Sequence, residues 1–188
     1  MTRRPRAEAD EGFTLMELVV ASMLGIIVLL IVGSLLINGL RGQSSVTSLT
    51  AATNASQLAA TSIQGDVRNA TAVKTTAIGS DQFVIARVAR GTNTTVTYKC
   101  VSWYYSAATK EIRSHESSTA ITAPSSTTLK TWRLVASKVT PKGTTVFSSA
   151  DLKSVSITFF VDSGTAKAVP ISTFAASRNP TGDSAPCF

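Results

Sequence analysis

The chain divides into one unbroken apolar segment near its start and a longer polar remainder with short apolar runs. Residues 18–37 read LVVASMLGIIVLLIVGSLLI and contain no charged side chain. Because a helix rises about 1.5 Å per residue, a segment of this length spans about 30 Å, the hydrocarbon thickness of a bilayer. The segment therefore predicts a membrane helix.

The flanks of this segment distinguish it from a cleaved secretory signal. Such a signal has a shorter apolar region, about 7–15 residues, and then a small-residue cleavage site. Here the longer run is followed by NGLRG. Arg3, Arg4 and Arg6 precede the helix, and positive flanks stay in the cytoplasm. We expect a single-pass protein of the inner membrane, with a cytoplasmic N-terminus and the large C-terminal part outside.

After Gly42 the apolar positions recur at steps of three or four within a polar background, which is typical of a helix with one narrow apolar stripe. The stripe comprises Val46, Leu49, Ala52, Ala55, Ala59, Ile63, Val67 and Ala70. No proline interrupts it, so we expect the helix to continue to about residue 70. Residues 13–40 would form its membrane half and residues 41–72 its amphipathic half.

Short runs of β-branched and aromatic residues then predict strands. They cover residues 83–88, 94–105, 111–113, 131–135, 155–161 and 166–171. Turns are predicted at Arg90-Gly91, Pro141-Lys142-Gly143 and Ser163-Gly164. Pro170 suits an edge strand or strand end. The predicted fold is α+β, with the amphipathic half of the helix packed on an antiparallel sheet of a β-rich extracytoplasmic domain, residues 73–188.

Glu17 lies just inside the apolar helix, where an unpaired carboxylate is costly. No lysine or arginine occurs between residues 7 and 40 to pair with it. Cleavage before Phe13 would create an α-amino group about one helical turn away, largely protonated at neutral pH. That amine could neutralise Glu17 of the same or a neighbouring chain. The alternative is a hydrated Glu17 at the headgroup level.

Residues 11–20, EGFTLMELVV, complete a wider pattern. A charged leader, Gly12, the Phe-Thr-Leu-Met-Glu sequence and the apolar run resemble the signal of type IV prepilins and type II secretion pseudopilins. The resemblance implies a leader of residues 1–12, cleavage by a prepilin peptidase after Gly12 and methylation of the Phe13 amine. It also implies that Glu17 guides assembly by contacting that amine on an adjacent subunit.

The same resemblance implies a pilin-like fold and several partners: other pilin subunits, the prepilin peptidase, a membrane-embedded assembly platform and, before assembly, membrane lipid. The end of the amphipathic helix, Asp66-Val67-Arg68-Asn69-Ala70, and the later Ser177-Arg178-Asn179 are more loosely similar to minor pilins and minor pseudopilins of the PilW/J type. The chain also lacks the helix proline common in major pilins. These features favour a minor subunit of a pilus, a competence pseudopilus or a secretion pseudopilus.

Cys100 and Cys187 lie on the same side of the apolar segment. If that side is outside the cell, a disulfide between them is favoured, and two buried free thiols are the alternative. Such a bond would fasten the C-terminal residues to the middle of the domain.

The remaining chemistry does not indicate an enzyme. His115 is the one histidine, and neither a nucleotide-binding glycine motif nor zinc-ligand spacing occurs, so we expect no cofactor and no metal site. The formal net charge of +7 lies within residues 13–188. Together with Trp103-Tyr104-Tyr105 beside Lys99 and Lys110, it permits DNA or sugar binding, whereas core packing of these rings is the simpler reading.

Three functions follow as expectations. The first is a structural filament subunit. The second is a DNA-binding or adhesion module at a filament tip, and the third is an unprocessed single-pass membrane protein with an extracellular binding domain.

Overall fold

The structure is a computed structural model that describes residues 14–92, 95–164, 167–179 and 184–188. Gly12 and Phe13 lie outside the described residues. The elements, in chain order, are α1 (Leu15–Arg68), β1 (Ala70–Ile78), β2 (Asp81–Thr92), β3 (Thr95–Ser106), β4 (Glu111–Ser117), α2 (Ser126–Leu129), β5 (Arg133–Ala136), β6 (Val139–Pro141), β7 (Phe147–Ser148), β8 (Ser154–Val161) and β9 (Val169–Ala176).

The predicted α+β class is confirmed: the long N-terminal helix packs against antiparallel sheet. Two units are distinguished, residues 1–44 and residues 45–188. Within the second unit, α1 buries one stripe of mostly small side chains. It comprises Ala52, Ser56, Ala59, Ala60, Ile63 and Val67. This agrees with the predicted stripe from Ala52 onward, but Val46 and Leu49, its first two members, are 65% and 38% exposed.

β1 to β5 form one antiparallel sheet in chain order, with β1 and β5 at its edges. A second antiparallel sheet is built around β8, which pairs with β6 and β7 and also with β9. Pro170 lies near the start of β9, opposite Phe160. β9 has no other strand partner in the described part of the chain, so Pro170 occupies the edge strand that its missing N–H favours.

Gln82 joins the two sheets inside the protein. Its side chain is buried, and its Oε1 accepts hydrogen bonds from the backbone N–H groups of Val146 (2.7 Å) and Phe147 (2.8 Å). A second link is the bond from the Val73 N–H to the Leu152 carbonyl, at 2.8 Å. These bonds satisfy backbone groups that would otherwise be costly to bury.

The first sheet is covered on both faces. Val84, Val101 and Trp103 face the main core, which α1 and the second sheet complete. Phe83, Tyr104 and Cys100 belong to a second cluster on the other face, together with Trp132 and Cys187. β3 is therefore buried on both sides from Cys100 to Ser106, which a strictly alternating strand would not be.

The predicted turn at Arg90-Gly91 is wrong. Both residues lie in β2, which pairs with β3 as far as Thr92 opposite Thr95. Gly91 has φ 128°, and a Cβ there would lie 2.0 Å from the Thr95 carbonyl oxygen. The glycine is therefore required by the close approach of two strands and does not reverse the chain.

The helix ends slightly earlier than predicted, at Arg68, and residues 70–72 of the expected amphipathic half belong to β1. The Asn69 side chain donates to the Gly65 carbonyl at 3.0 Å, so the chain leaves the helix with a satisfied carbonyl. Strands β1, β6 and β7 and the four-residue α2 were also not predicted from the sequence. β5 begins at Arg133 instead of residue 131.

Cys100 and Cys187 form a disulfide, and we expect its loss to destabilise the second unit. In the Cys100→Ala/Cys187→Ala variant, the unfolded chain regains the entropy of a loop with a sequence separation of 87 residues. The chain-entropy estimate for such a loop is about 4–5 kcal/mol of unfolding free energy. Urea unfolding followed by tryptophan fluorescence measures this difference.

The alanine pair also removes two buried sulfur atoms. Reduction of the wild-type protein under the same urea series removes the bond alone and serves as the control. Equal unfolding midpoints for the oxidised, reduced and double-alanine proteins would contradict a stabilising role.

Candidate functional site

The start of α1 is held by Thr14. Its side-chain oxygen accepts from the backbone N–H of Glu17 at 3.3 Å, and its carbonyl accepts from the N–H groups of Glu17 (3.0 Å) and Leu18 (3.2 Å). Thr14 is thus the N-cap, and Thr14-Leu15-Met16-Glu17 matches the Ser/Thr-x-x-Glu pattern of helix starts. This four-residue pattern is visible in the sequence and could have predicted the helix start.

Glu17 lies in the first turn of α1, and its side chain is exposed. The positive end of the helix dipole favours a carboxylate at this position. Within the described part of the chain, no cation forms an ion pair with it. The helix start therefore offsets part of the cost of the charge and leaves the carboxylate open to a further partner.

The helix that follows presents apolar side chains around its whole circumference. Every large apolar residue between positions 15 and 40 is at least 43% exposed. Among the described residues, α1 is the one helix long and apolar enough to cross a membrane. Exposed apolar surface of this extent requires lipid or another apolar surface to cover it.

The predicted processing residues, Gly12 and Phe13, lie outside the described residues, so the distance from the Phe13 amine to Glu17 is not defined. Cys100 and Cys187 are bonded, with an S–S distance of 2.04 Å. Both are 1% exposed, and their bond pins the end of the chain to β3 over the second cluster.

Trp103, Tyr104 and Tyr105 do not form an exposed aromatic surface for stacking. They are 1%, 5% and 3% exposed, so core packing accounts for all three rings and none remains to stack on a base. The Tyr104 hydroxyl donates to Asp81 Oδ2 at 2.6 Å. Burial and this hydrogen bond raise the pKa of Tyr104 to about 12. His115 is exposed on β4, and its ring stacks on Trp132 with a centroid distance of 5.1 Å.

Arg90 connects three elements by charge. Its Nη2 lies 2.8 Å from Asp66 Oδ1 at the end of α1 and 3.2 Å from Glu116 Oε2 on β4. Burial raises the pKa of Asp66 above the 3.8 of an unperturbed aspartate, although Arg90 acts in the opposite direction. A desolvated carboxylate is a feature of functional sites as well as of structural ion pairs.

Comparison with known proteins identifies no relative: no protein-family model matches the chain, and neither a curated protein nor a solved structure matches it significantly. The short resemblance at residues 11–20 therefore stands on the residues themselves.

We expect Thr14→Val to loosen the first turn of α1, because the valine side chain cannot accept the Glu17 N–H, which then keeps only its bond to the backbone carbonyl of residue 14. Loss of an N-cap oxygen costs about 1 kcal/mol, which corresponds to roughly fivefold faster amide exchange. Hydrogen exchange of the Glu17 amide in lipid nanodiscs measures it. Thr14→Ser keeps the oxygen and should exchange as the wild type does; equal rates in all three proteins would rule out the cap.

We expect the wild-type protein to gain stability relative to the Asp66→Asn variant as the pH falls. Because its folded pKa is raised, the folded state binds a proton more tightly than the unfolded state between pH 3.8 and the folded pKa. The stability contribution of Asp66 therefore falls as pH rises through this window and is regained as pH falls.

Urea unfolding at a series of pH values between about 3 and 7 tests this by the difference in unfolding free energy between wild type and Asp66→Asn. The difference should shift in favour of the wild type as the pH falls. Asp162→Asn, at an exposed position, is the matched control. A difference that stays constant with pH for Asp66→Asn would contradict the shifted pKa.

Proposed function

We propose that the chain is a structural subunit of a type IV pilus or pseudopilus, and a minor one. A prepilin peptidase cleaves it after Gly12, and the exposed apolar half of α1 then passes from the membrane into the centre of a filament. The β-rich domain stays on the extracytoplasmic side. The protein has no catalytic role in this proposal.

The observation that carries the proposal is the combination of an uncovered apolar helix with a single carboxylate in its first turn. Lipid alone would cover the apolar surface but gives no reason for an acid at that depth. Packing against the helices of other subunits covers the same surface and brings a second chain's Phe13 amine near Glu17. The arrangement of a long helix followed by antiparallel sheet is compatible with a pilin-like architecture.

A second candidate is a single-pass membrane protein that keeps residues 1–12. Thr14 and the helix dipole favour Glu17 at the start of α1 without any cleavage. In this alternative Glu17 serves helix initiation at the membrane surface, and the apolar segment remains in lipid. A DNA-binding role gains no support from Trp103, Tyr104 and Tyr105, because their rings are buried.

Glu17→Val separates the two candidates. In a filament subunit, the variant should be cleaved as the wild type is but should be depleted several-fold from sheared filaments, because it lacks the acid that meets the neighbouring amine. Immunoblots of the membrane and filament fractions of the native cell measure both steps.

Ser22→Val is the matched control, because it changes another exposed polar residue of the same helix. It should enter filaments normally. Normal incorporation of the Glu17→Val protein would exclude the assembly role, and failure of both variants would indicate a general effect of added apolar surface.

A further inference from the structure

A polar cavity of about 440 Å³ lies between the end of α1 and the first sheet. Ser62 and Asp66, one helical turn apart, form its helix side. Trp103, Ser114 and Arg133 are in register on β3, β4 and β5 and form its sheet side. The small Ser114 side chain lies between the two larger ones and leaves the space open. The volume is within the range of about 300–1,000 Å³ that small-molecule sites occupy.

The charged groups in the cavity balance each other. Asp66 and Glu116 supply two carboxylates, and Arg90 and Arg133 supply two guanidinium groups. The two acids would repel a phosphate or carboxylate ligand, and the two arginines would repel an amine ligand. The remaining polar residues that line it are Ser62, Ser114, His115 and Thr131. This inventory favours an uncharged ligand that both donates and accepts hydrogen bonds.

The ion pairs around Arg90 leave hydrogen-bonding capacity unused. The Nη2 of Arg90 makes both contacts, to one oxygen of Asp66 and one of Glu116. Within the described part of the chain, the other two nitrogen atoms of this guanidinium, the second oxygen of each carboxylate and the Arg133 side chain have no hydrogen-bond or ion-pair partner. Along the Asp66–Arg90–Glu116 contacts, an acceptor, a donor and an acceptor thus alternate at the cavity.

We infer that this cavity binds a neutral polyhydroxylated ligand, a saccharide of one or two rings. Adjacent hydroxyl groups on a sugar ring can each donate to a carboxylate and accept from a guanidinium, which matches the alternation. The Trp103 ring is 1% exposed and serves as part of the floor, so hydrogen bonds carry the recognition. This binding does not depend on filament assembly.

Saturation-transfer NMR on the full chain in lipid nanodiscs tests the inference, because it detects weak binding. The probes are D-glucose, D-galactose and N-acetyl-D-glucosamine, with D-glucuronate as the anionic counterpart. Detergents that carry sugar headgroups must be avoided. We expect a transfer signal from at least one neutral sugar and a weaker one from glucuronate.

Two variants locate the signal. Arg133→Ala removes a hydrogen-bond donor at an exposed position and should weaken binding about tenfold, the effect of losing one hydrogen bond to a charged group. Ser114→Leu fills the cavity and should abolish binding. Lys130→Ala removes a nearby exposed cation outside the cavity and should bind as the wild type does.

Several outcomes would overturn the inference. No transfer from any neutral sugar would do so, as would tighter binding of glucuronate, which would indicate an anion site. A signal that persists unchanged in both Arg133→Ala and Ser114→Leu would place the sugar elsewhere. Native tryptophan fluorescence of the variants establishes that each remains folded.

Discussion

The uncovered apolar surface of residues 15–40 is the constraint from which the rest of this account follows. Each of its large side chains is at least 43% exposed, and burying one such side chain is worth about 1.5–3 kcal/mol. Summed over the segment, the surface represents a free energy on the order of tens of kcal/mol. Such a helix cannot remain in water, so lipid or another apolar surface must cover it. A filament core and a membrane interior satisfy the same requirement.

Glu17 is the acid in the first turn of this apolar helix. Lipid offers its carboxylate no cation, whereas a filament would bring the amine of another chain close to it. Thr14 and the helix dipole make the position tolerable, and the exposed carboxylate remains open to a cation. The second unit needs no such partner for its own stability. It has a core shared by α1 and both sheets, the Gln82 bonds between the sheets and a buried disulfide.

Features set by local sequence were predictable. The uncharged run gave the apolar helix, and the three-and-four spacing gave the buried stripe from Ala52 to Val67. The end of that helix was harder to predict, because residues 70–72 continue its apolar spacing and yet pair with β2. The β-branched residues of β1 favour a strand only weakly by themselves, so the strand conformation of residues 70–72 is decided by their pairing with β2.

Features that depend on distant parts of the chain could not be predicted. Gly91 was taken as a turn residue because its role, the close approach of Thr95, depends on the register of two strands. The burial of Tyr104 depends on a segment around Trp132 and on the tail that Cys187 holds, so the second covered face of β3 was not visible in the alternation of its residues. The cavity beside Asp66 likewise arises where four strands and a helix meet.

The mass of the mature protein, purified from the membranes and filaments of its native cell, tests the central claim most directly. The account predicts a chain that begins at Phe13 and carries one methyl group on its amine. A mass that still includes residues 1–12 in both fractions would contradict it and would leave a permanently anchored membrane protein in its place.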